Sequence, residues 1–390
     1  MWVNSSPAQW VQTSAPKIGA IRSLAVNSSN LFAGIYSGGV LLSTDNGGSW
    51  TTADSGLTNT FVTSLAVAGT NLFAGTNGGG VFLSTDNGTS WTAAGLKNQY
   101  VICFAISGMN IFAGINGGGI FLSSDNGSSW TAINSGLTSL YINTLVFKGT
   151  ELFAGTADNG IFLSTNYASW NAVNNGLVST TVRFIAVAGA NLFAGTDPAG
   201  IFLTTDDGSS WSVINNGLTN TAVWSLAVKG TNLFAGTNDG GVFLSTNSGM
   251  SWIGVNAGFS GSKIQSFAIS GTYLFAGTSD GEIWKRPLSQ MVTTVNTPLT
   301  DLPSRFSLGQ NYPNPFNPVT VIRFSVPSRS FVSLVAVNIL GEKIQNMVSE
   351  EREPGEYVVR FDGSRLPSGI YFYRISAGTY TETRKMVLMK

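Results

Sequence analysis

The chain has 390 residues, enough for two domains of ordinary size, with 43% apolar residues, 10% charged residues and 47 glycines. This composition is typical of a tightly turned β protein and argues against a disordered chain or a coiled coil. The formal net charge is zero, so no global field favours nucleic acid or an anionic membrane surface, and we expect neither as a partner.

The absence of histidine and the presence of one cysteine limit the chemistry of the chain. Without histidine there is no Ser-His or Cys-His pair, and we predict no metal site and no cofactor. Cys103 has no partner for an internal disulfide, and its apolar neighbours predict an inert core thiol. No apolar stretch reaches the roughly 20 residues of a membrane span. Residues 1–6 lack the features of a signal peptide, and we interpret the start as trimmed.

Seven copies of one sequence unit occupy the first three quarters of the chain. Each contains the tetrapeptide Leu/Ile-Phe-Ala-Gly at intervals of 39–41 residues, with the phenylalanines at Phe32, Phe73, Phe112, Phe153, Phe193, Phe234 and Phe275. Three apolar runs in each unit, followed in the first six units by a polar turn and a tryptophan, predict four short strands and no helix. Four strands in about 40 residues is the size of a propeller blade.

The ends of the repeat region favour a closed ring over an open solenoid, which is the competing architecture. The seventh unit stops after its third strand, near Trp284, and lacks the strand that begins with tryptophan. Trp10 precedes Phe32 by 22 residues, much as Trp50 precedes Phe73 by 23. We therefore predict an all-β fold in which residues 1–287 form a monomeric seven-bladed β-propeller, with the N-terminal strand completing the last blade.

Three of the turns before a tryptophan carry a family pattern, S-x-D-x-G-x-x-W, as in Ser43–Trp50, and two more match it except at one position. The turn Ser164–Trp170 is one residue short and degenerate. The pattern resembles the Asp-box (BNR) repeats of sialidase-like propellers and of photosystem II assembly factors of the Ycf48 type. In such a turn the aspartate accepts backbone hydrogen bonds, glycine supplies a positive φ and tryptophan packs between strands. A role for the aspartates as acids or metal ligands is the alternative. The residues predicted to be structural in this way are Asp45, Trp50, Asp86, Trp91, Asp125, Trp130, Asp206 and Trp211.

Comparison of the repeats with one another separates fixed scaffold positions from variable ones. The variable position at the start of the innermost strand is occupied by Arg22, Thr63, Ile102, Asn143, Arg183, Trp224 and Gln265, and the residues just before it include Phe61, Tyr100, Tyr141 and Lys263. The loops between the second and third strands lie on the same face of a propeller, so we predict one rim. Aromatic rings with amide and guanidinium donors suit a carbohydrate or protein ligand. Drift at solvated loop ends is the alternative. The predicted rim consists of Arg22, Tyr36, Tyr100, Tyr141, Asn143, Arg183, Trp224, Gln265, Asp158, Asp197, Asp239 and Asp280.

An enzymatic role is a second hypothesis. Sialidases, as a family, hold a carboxylate with three arginines, but residues 1–286 contain only Arg22, Arg183 and Arg286, and Arg286 lies at the exit of the propeller. A glycoside hydrolase would instead need two rim carboxylates about 5–10 Å apart, which neighbouring blades could supply. We expect a non-catalytic binding or adhesion propeller, with a polysaccharide-acting hydrolase as the alternative. A Ycf48-like assembly factor is a third possibility, but the arginine-rich patch of that family is not evident.

The composition changes after Pro287. Residues 288–304 are rich in Thr and Pro and predict a linker. Beyond them, alternating or apolar runs predict a small Ig-like β-sandwich over residues 305–390. The predicted strands are Val319–Val326, Val332–Ile339, Tyr357–Phe361, Gly369–Ile375 and Thr379–Met389.

The segment Phe306–Lys390 closely resembles type A sorting domains of the type IX secretion system. The matching words begin at Gln310, Asn338, Pro354, Leu366 and Lys385 and follow in the family's order, whereas Val337 stands where the family has tyrosine. The resemblance implies the type IX machinery as a partner and an extracellular or outer-surface location in a Gram-negative bacterium. The residues carried over as the sorting signal are Asn311, Pro313, Pro315, Gly341, Gly369, Tyr371, Lys385 and Lys390.

Overall fold

The computed structural model describes residues 9–28, 30–239, 241–291, 305–352 and 355–390, which fall into two compact units, residues 1–293 and 294–390. Apart from one short 3-10 turn, the regular structure in the described residues is β-strand. The predicted all-β fold, a propeller followed by a β domain, is confirmed.

The described part of the first unit forms seven four-stranded antiparallel sheets, here numbered blades 1 to 7 in chain order. A short strand, β1 (Val11–Gln12), precedes them. Blades 1 to 3 consist of β2 (Ile21–Asn27), β3 (Asn30–Ile35), β4 (Gly39–Ser43) and β5 (Thr51–Thr52); β6 (Val62–Ala68), β7 (Asn71–Thr76), β8 (Gly80–Ser84) and β9 (Thr92–Ala93); and β10 (Val101–Ser107), β11 (Asn110–Ile115), β12 (Gly119–Ser123) and β13 (Thr131–Ala132).

Blades 4 to 6 repeat the same order of long, medium and very short strands. They consist of β14 (Ile142–Lys148), β15 (Glu151–Thr156), β16 (Ile161–Ser164) and β17 (Asn171–Ala172); β18 (Val182–Ala188), β19 (Asn191–Thr196), β20 (Gly200–Thr204) and β21 (Ser212–Val213); and β22 (Val223–Lys229), β23 (Asn232–Thr237), β24 (Val242–Ser245) and β25 (Ile253–Gly254). Blade 7 contributes β26 (Ile264–Ser270), β27 (Tyr273–Thr278) and β28 (Ile283–Pro287) from its own repeat.

The ring closes through the innermost strands, the first strand of each blade. Each of them contacts the innermost strand of the next blade, and β26 of blade 7 contacts β2 of blade 1. The fourth strand of blade 7 is β1, in which Val11 pairs with Lys285 and Gln12 with Trp284. Residues from the two ends of the repeat region therefore share one sheet.

The hydrophobic core lies between neighbouring blades. The phenylalanine of each second strand is fully buried, because both faces of that strand are covered. Phe32 of blade 1, for example, shares a cluster with Val62, Leu72 and Trp91 of blade 2. Burial of each such ring stabilises the fold by roughly 1.5–3 kcal/mol, so a large part of the stability resides in blade-to-blade contacts.

A β-bulge interrupts every innermost strand near its start. The register shifts between Ile21 and Ser23 in blade 1, and at the corresponding step in each other blade. The residue before each bulge is a buried valine or isoleucine with no exposed surface. The extra residue of a bulge is unpaired and its side chain is re-aimed relative to the strand. In this chain that residue is the variable position identified from the repeats.

The first unit extends beyond the predicted boundary at residue 287. Leu288–Gln290 form a 3-10 turn, and the Leu288 N–H donates a hydrogen bond to the Thr272 carbonyl oxygen at 2.8 Å. Met291 is buried against blade 7. Residues 288–291 thus belong to the propeller rather than to the predicted linker, because their apolar side chains cover the last blade. The rest of that linker lies outside the described residues.

The second unit is a sandwich of two antiparallel sheets. Its strands are β29 (Ser307–Leu308), β30 (Val319–Val326), β31 (Ser330–Val337), β32 (Lys343–Arg352), β33 (Gly355–Asp362), β34 (Gly369–Ala377) and β35 (Tyr380–Leu388). The sheet orders are β29-β30-β33 and β32-β31-β34-β35. Phe316, Ile322, Leu334, Tyr373 and Met386 meet between them in the core.

Sequence reasoning missed β32. Its residues alternate poorly, and most of them are exposed, because β32 lies at the edge of its sheet and has one neighbour, β31. A charged edge strand lacks the alternation of apolar and polar residues by which strands are predicted from sequence. Its charges also discourage pairing with a strand of another chain.

Candidate functional site

One pocket of about 210 Å³ gathers the variable positions of all seven blades. It is lined by Arg22, Thr63, Tyr100, Ile102, Asn143, Arg183, Trp224 and Gln265. Seven of these eight residues are the bulged residues of the seven innermost strands, and Tyr100 precedes the innermost strand of blade 3. The bulge explains the convergence, since it frees each of these side chains from the pairing pattern of its strand.

Two of the bulged residues also hold neighbouring blades together. The single proton of Thr63 Oγ1 is shared between the Gly75 carbonyl oxygen, at 2.9 Å, and that of Val101 in blade 3. Asn143 Nδ2 donates to the Val182 carbonyl oxygen of blade 5 at 2.8 Å. Part of this layer is therefore committed to the scaffold.

Cations and aromatic rings are interleaved on the other side of the pocket. The Arg183 guanidinium carbon lies 4.3 Å, and Lys263 Nζ 3.0 Å, from the centre of the Trp224 ring. Arg22 lies over the Tyr36 ring at 5.2 Å. A cation over an aromatic face contributes about 0.5–2 kcal/mol, so the two rings orient these groups.

Several positively charged side chains lie close together on this side of the pocket. Burial lowers the pKa of Lys263, and the charges of Arg183 and Arg22 lower it further, while Asp197 and Asp239 oppose the shift. Asp197 accepts a hydrogen bond from Arg183 Nη2 at 2.7 Å, and the Arg183 Nε is buried without a hydrogen-bond partner in the described structure. Burial also raises the pKa of the Tyr100 hydroxyl, so this group stays protonated as a donor.

Six of the twelve predicted rim residues are not among those that line the pocket. Tyr36 accepts a hydrogen bond from Asn77 Nδ2 at 2.8 Å, and Asp239 accepts one from Asn238 Nδ2 at 2.8 Å. Tyr141 is half exposed and pairs with Asn116 in a β-bridge. The predicted rim residues that do not line the pocket are Tyr36, Tyr141, Asp158, Asp197, Asp239 and Asp280.

Lys263 is not among the rim residues predicted from the sequence, although it lies beside the pocket, over the Trp224 ring. Its sequence position, two residues before the bulged residue of blade 7, does not reveal this approach, which depends on the packing of blades 6 and 7. In the described residues there is no group of three or more Cys, Asp or Glu side chains placed to hold a metal ion.

The turns with the Asp-box pattern are hydrogen-bonded internally. Asp86 Oδ1 accepts from the Ser90 N–H at 2.9 Å and from Ser84 Oγ at 2.8 Å, and Ser84 Oγ accepts from the Gly88 N–H at 2.8 Å. Hydrogen bonds from the Ser90 hydroxyl, the Ser90 N–H and the Ser84 hydroxyl lower the pKa of Asp86 to about 2. Asp45, Asp125 and Asp206 accept the equivalent bonds.

The tryptophan after each turn connects neighbouring blades. Trp91 Nε1 in blade 2 donates to the Ala53 carbonyl oxygen of blade 1 at 2.8 Å. Trp130 and Trp211 make the equivalent bond, and Trp10 makes it to Val255 of blade 6 at 2.7 Å. Trp50 differs, because its buried Nε1 has no partner among the described residues.

Cys103 lies on β10 beside Gly114 and is half-buried. Burial raises the pKa of its thiol to about 12, so the thiolate form is scarce at physiological pH. No helix in the described part of the chain has both the length and the hydropathy needed to cross a bilayer.

Several of the residues carried over as the sorting signal form hydrogen bonds within the sandwich. Asn311 is buried; its N–H donates to the Tyr373 hydroxyl at 2.8 Å, and its Nδ2 donates to the Pro313 carbonyl oxygen at 3.0 Å. The Tyr371 hydroxyl donates to the Pro367 carbonyl oxygen at 2.7 Å, and Lys390 Nζ donates to that of Ser364 at 2.6 Å.

The remaining sorting residues lie at turns, at a strand start or on an edge strand. Gly341, with φ +81°, ends the β31–β32 turn, and Gly369 begins β34. Pro315 lies in the loop before β30, and Lys385 is exposed on the edge strand β35.

Comparison with known families identifies the second unit. Residues 310–389 match the family described as the secretion system C-terminal sorting domain. No curated protein sequence matches the chain.

Three solved structures illustrate the similarity of fold, each at 15% identity or less. YCF48 bound to D1 peptide is 15% identical with a TM-score of 0.58, covering 73% of this chain and 96% of that one. PorZ, a surface component of the type-IX secretion system of Porphyromonas gingivalis, is 15% identical with a TM-score of 0.57, covering 95% of this chain and 60% of PorZ. The GH74 xyloglucanase of Xanthomonas campestris is 14% identical with a TM-score of 0.58, covering 88% and 63%. This chain thus spans less than two thirds of the last two proteins.

These similarities support the fold, and they include both an enzyme and a surface component of a secretion system. The family match confirms the predicted sorting domain and the predicted location. The protein is therefore a β-propeller that carries a C-terminal sorting domain of the type IX secretion system and is exported to the cell surface or the extracellular space.

Proposed function

We propose that this exported propeller is a non-catalytic binding or adhesion protein and that the pocket lined by the seven bulged residues holds its ligand. The observation that carries the proposal is the convergence of the seven variable positions on one pocket. Each is preceded by a buried valine or isoleucine that stays apolar in every blade. Variation at the pocket beside constancy in the adjacent core is typical of a recognition site carried by a fixed scaffold.

The chemistry of the lining favours binding over hydrolysis. No carboxylate from the described residues lines the pocket. Asp197 is engaged by Arg183, and Asp158 and Asp239 are exposed at loop positions around the rim. Glycoside hydrolysis needs two carboxyl groups facing one bond. A polysaccharide-acting hydrolase built on Asp158, Asp197, Asp239 or Asp280 is the competing function.

An array of polysaccharides, glycoproteins and matrix proteins tests the proposal, with both retention of the full chain and release of products measured. We expect retention without product, and its loss in the double variant Arg183→Ala, Trp224→Ala. Lys229→Ala is the matched control, because Lys229 is an exposed cation at the opposite end of the strand that carries Trp224. Product release that disappears on substitution of one of the four rim aspartates would establish the hydrolase instead.

A further inference from the structure

Positive charge gathers at the pocket, and no carboxylate of the described residues is among the side chains that line it. Arg22 and Arg183 line it, Lys263 lies over the Trp224 ring that also lines it, and the charges of both arginines disfavour the protonated form of Lys263. Of the three cations, Arg183 alone forms an ion pair in the described structure, with Asp197. Holding like charges together has an energetic cost, which an anionic ligand would offset.

Trp224 maintains this arrangement instead of offering an open stacking surface. Both Arg183 and Lys263 lie over its ring, at 4.3 and 3.0 Å from the ring centre. The ring is therefore already engaged by two cations. The aromatic contribution predicted from sequence is therefore indirect: the ring positions two charged donors at the pocket.

The rest of the lining suits hydroxyl groups. Gln265 presents an amide, Asn143 presents its amide oxygen because its Nδ2 donates to the Val182 carbonyl oxygen, and Tyr100 presents a phenol. Ile102 is the one lining side chain without a polar group. A pocket that binds a protein ligand would be expected to have a more apolar lining. The pocket volume of about 210 Å³ is below the roughly 300–1,000 Å³ that enclose a whole drug-sized ligand. The pocket therefore fits one unit or one end of a larger molecule.

The geometry points to an acidic sugar: we infer that the pocket binds one carboxylate-bearing unit of an extracellular polysaccharide, an inference that rests on the proposed binding function. Arg183 and Arg22 contact the carboxylate, since a guanidinium pairs with a carboxylate through two parallel hydrogen bonds. Lys263 adds a third positive charge, and the amides and Tyr100 bond the ring hydroxyls.

The test is the equilibrium affinity of the full chain for a panel of acidic glycans and their neutral partners. Polygalacturonate is paired with its methyl-esterified form, in which the ring remains and the charge is removed. Alginate and hyaluronan provide other uronates, and dextran is the neutral control. Dextran sulfate tests whether the pocket binds sulfate groups, and polyglutamate tests whether it binds an acidic protein. We expect at least one uronate polymer to bind about tenfold or more tightly than the neutral glycans, with an affinity that falls as salt is raised.

Variants connect the selectivity to the pocket. We expect Arg22→Ala, Arg183→Lys and Lys263→Ala each to weaken uronate binding about tenfold or more, whereas Lys229→Ala removes one positive charge and leaves the affinity unchanged. Arg22 is exposed, so its variant remains informative if Arg183→Lys unfolds.

Three outcomes would overturn the inference. Tighter binding of a neutral glycan, lost in the Trp224→Ala variant, would refute the acidic ligand but leave the binding function in place. Retention of dextran sulfate or polyglutamate without any uronate would assign the cations to another anion. An equal effect of Lys229→Ala would show that overall charge, not the pocket, drives binding. Failure of every ligand on the broader array would refute the binding function itself.

Discussion

At the residue scale, the aspartate of each polar turn acts as a local hydrogen-bond acceptor. Asp86 bonds the N–H and hydroxyl of Ser90 at 2.9 and 2.6 Å, four residues ahead in the same turn. Asn247 occupies the same position in blade 6 and accepts from the Ser251 N–H at 3.0 Å and from Ser245 Oγ at 2.9 Å. The chain thus contains an uncharged version of its own turn.

We predict that Asp86→Asn is mild at neutral pH and that Asp86→Ala is more destabilising, because the asparagine retains the acceptor oxygen. The pKa of Asp86 is about 2 in the folded chain, below its ordinary value of 3.8. A lowered pKa means that the stabilisation is present above pH 3.8 and is lost as the pH falls towards 2. Denaturant unfolding at a series of pH values measures this, and Asp86→Asn should flatten the curve in that range. Equal stability of the alanine and asparagine variants at pH 7 would contradict the account.

Cys103 is expected to be unreactive in the native chain. Burial raises the pKa of its thiol to about 12, and thiolate is the form that reacts with disulfide reagents. At pH 8 we predict slow labelling of the folded protein and fast labelling in denaturant, measured by the absorbance of the released thiol. Rapid labelling of the native protein would show that the thiol is ionised and accessible.

At the element scale, a blade is stabilised as much by its neighbour as by its own strands. The tryptophan of one blade packs against, and donates to, the strand end of the blade before it, as Trp91 does to Ala53 at 2.8 Å. Trp50 occupies the equivalent place between blades 7 and 1, with its buried Nε1 unpaired. The two tryptophans differ in this hydrogen bond.

We therefore predict that Trp91→Phe costs about 1–3 kcal/mol more in the free energy of unfolding than Trp50→Phe. Both changes remove an indole N–H, but only Trp91→Phe deprives a carbonyl oxygen, that of Ala53, of its hydrogen bond. Urea unfolding of the two variants, with unchanged denaturant dependence as a check on the folded state, measures the difference. Equal losses would show that indole packing, and not the hydrogen bond, connects the blades.

The elements that the sequence predicted well are those whose residues carry a period or a repeat. The second strands were located because Phe-Ala-Gly recurs, and the sorting domain because its words appear in order. The strand β32 was missed because its edge position removes the apolar alternation, and Leu288–Met291 because so short a segment carries no period.

The candidate site was partly visible for a related reason. Seven repeats mark the variable positions, so Arg22, Asn143, Arg183, Trp224 and Gln265 could be selected from sequence. The bulge that directs them to one pocket, and the placement of Lys263 on Trp224, depend on the packing of whole blades. For the same reason, the sequence alone could not show that the rim carboxylates do not line the pocket.

At the scale of the whole molecule, the ring closes through residues from both ends of the repeat region. Trp10 is buried and donates to the Val255 carbonyl oxygen at 2.7 Å, and the following strand β1 pairs with β28. We predict that Trp10→Ala lowers the stability of the propeller by about 3–5 kcal/mol, like removal of a core tryptophan elsewhere. Hydrogen exchange should then rise across blades 6 and 7 together. A loss confined to β1 would contradict closure through this strand.

The central claim is that the ligand occupies the pocket at the seven bulged residues, and a variant that fills the pocket without changing its charge tests it most directly. Ile102 lines the pocket and carries no polar group, so Ile102→Trp blocks the cavity and leaves Arg22, Arg183 and Lys263 in place. The measurement is retention of this full-length variant on the glycan and protein array, beside the wild type and with the unfolding transition as a check on folding. The account predicts loss of retention with an unchanged transition, whereas full retention by the folded variant would place the binding site elsewhere on the molecule.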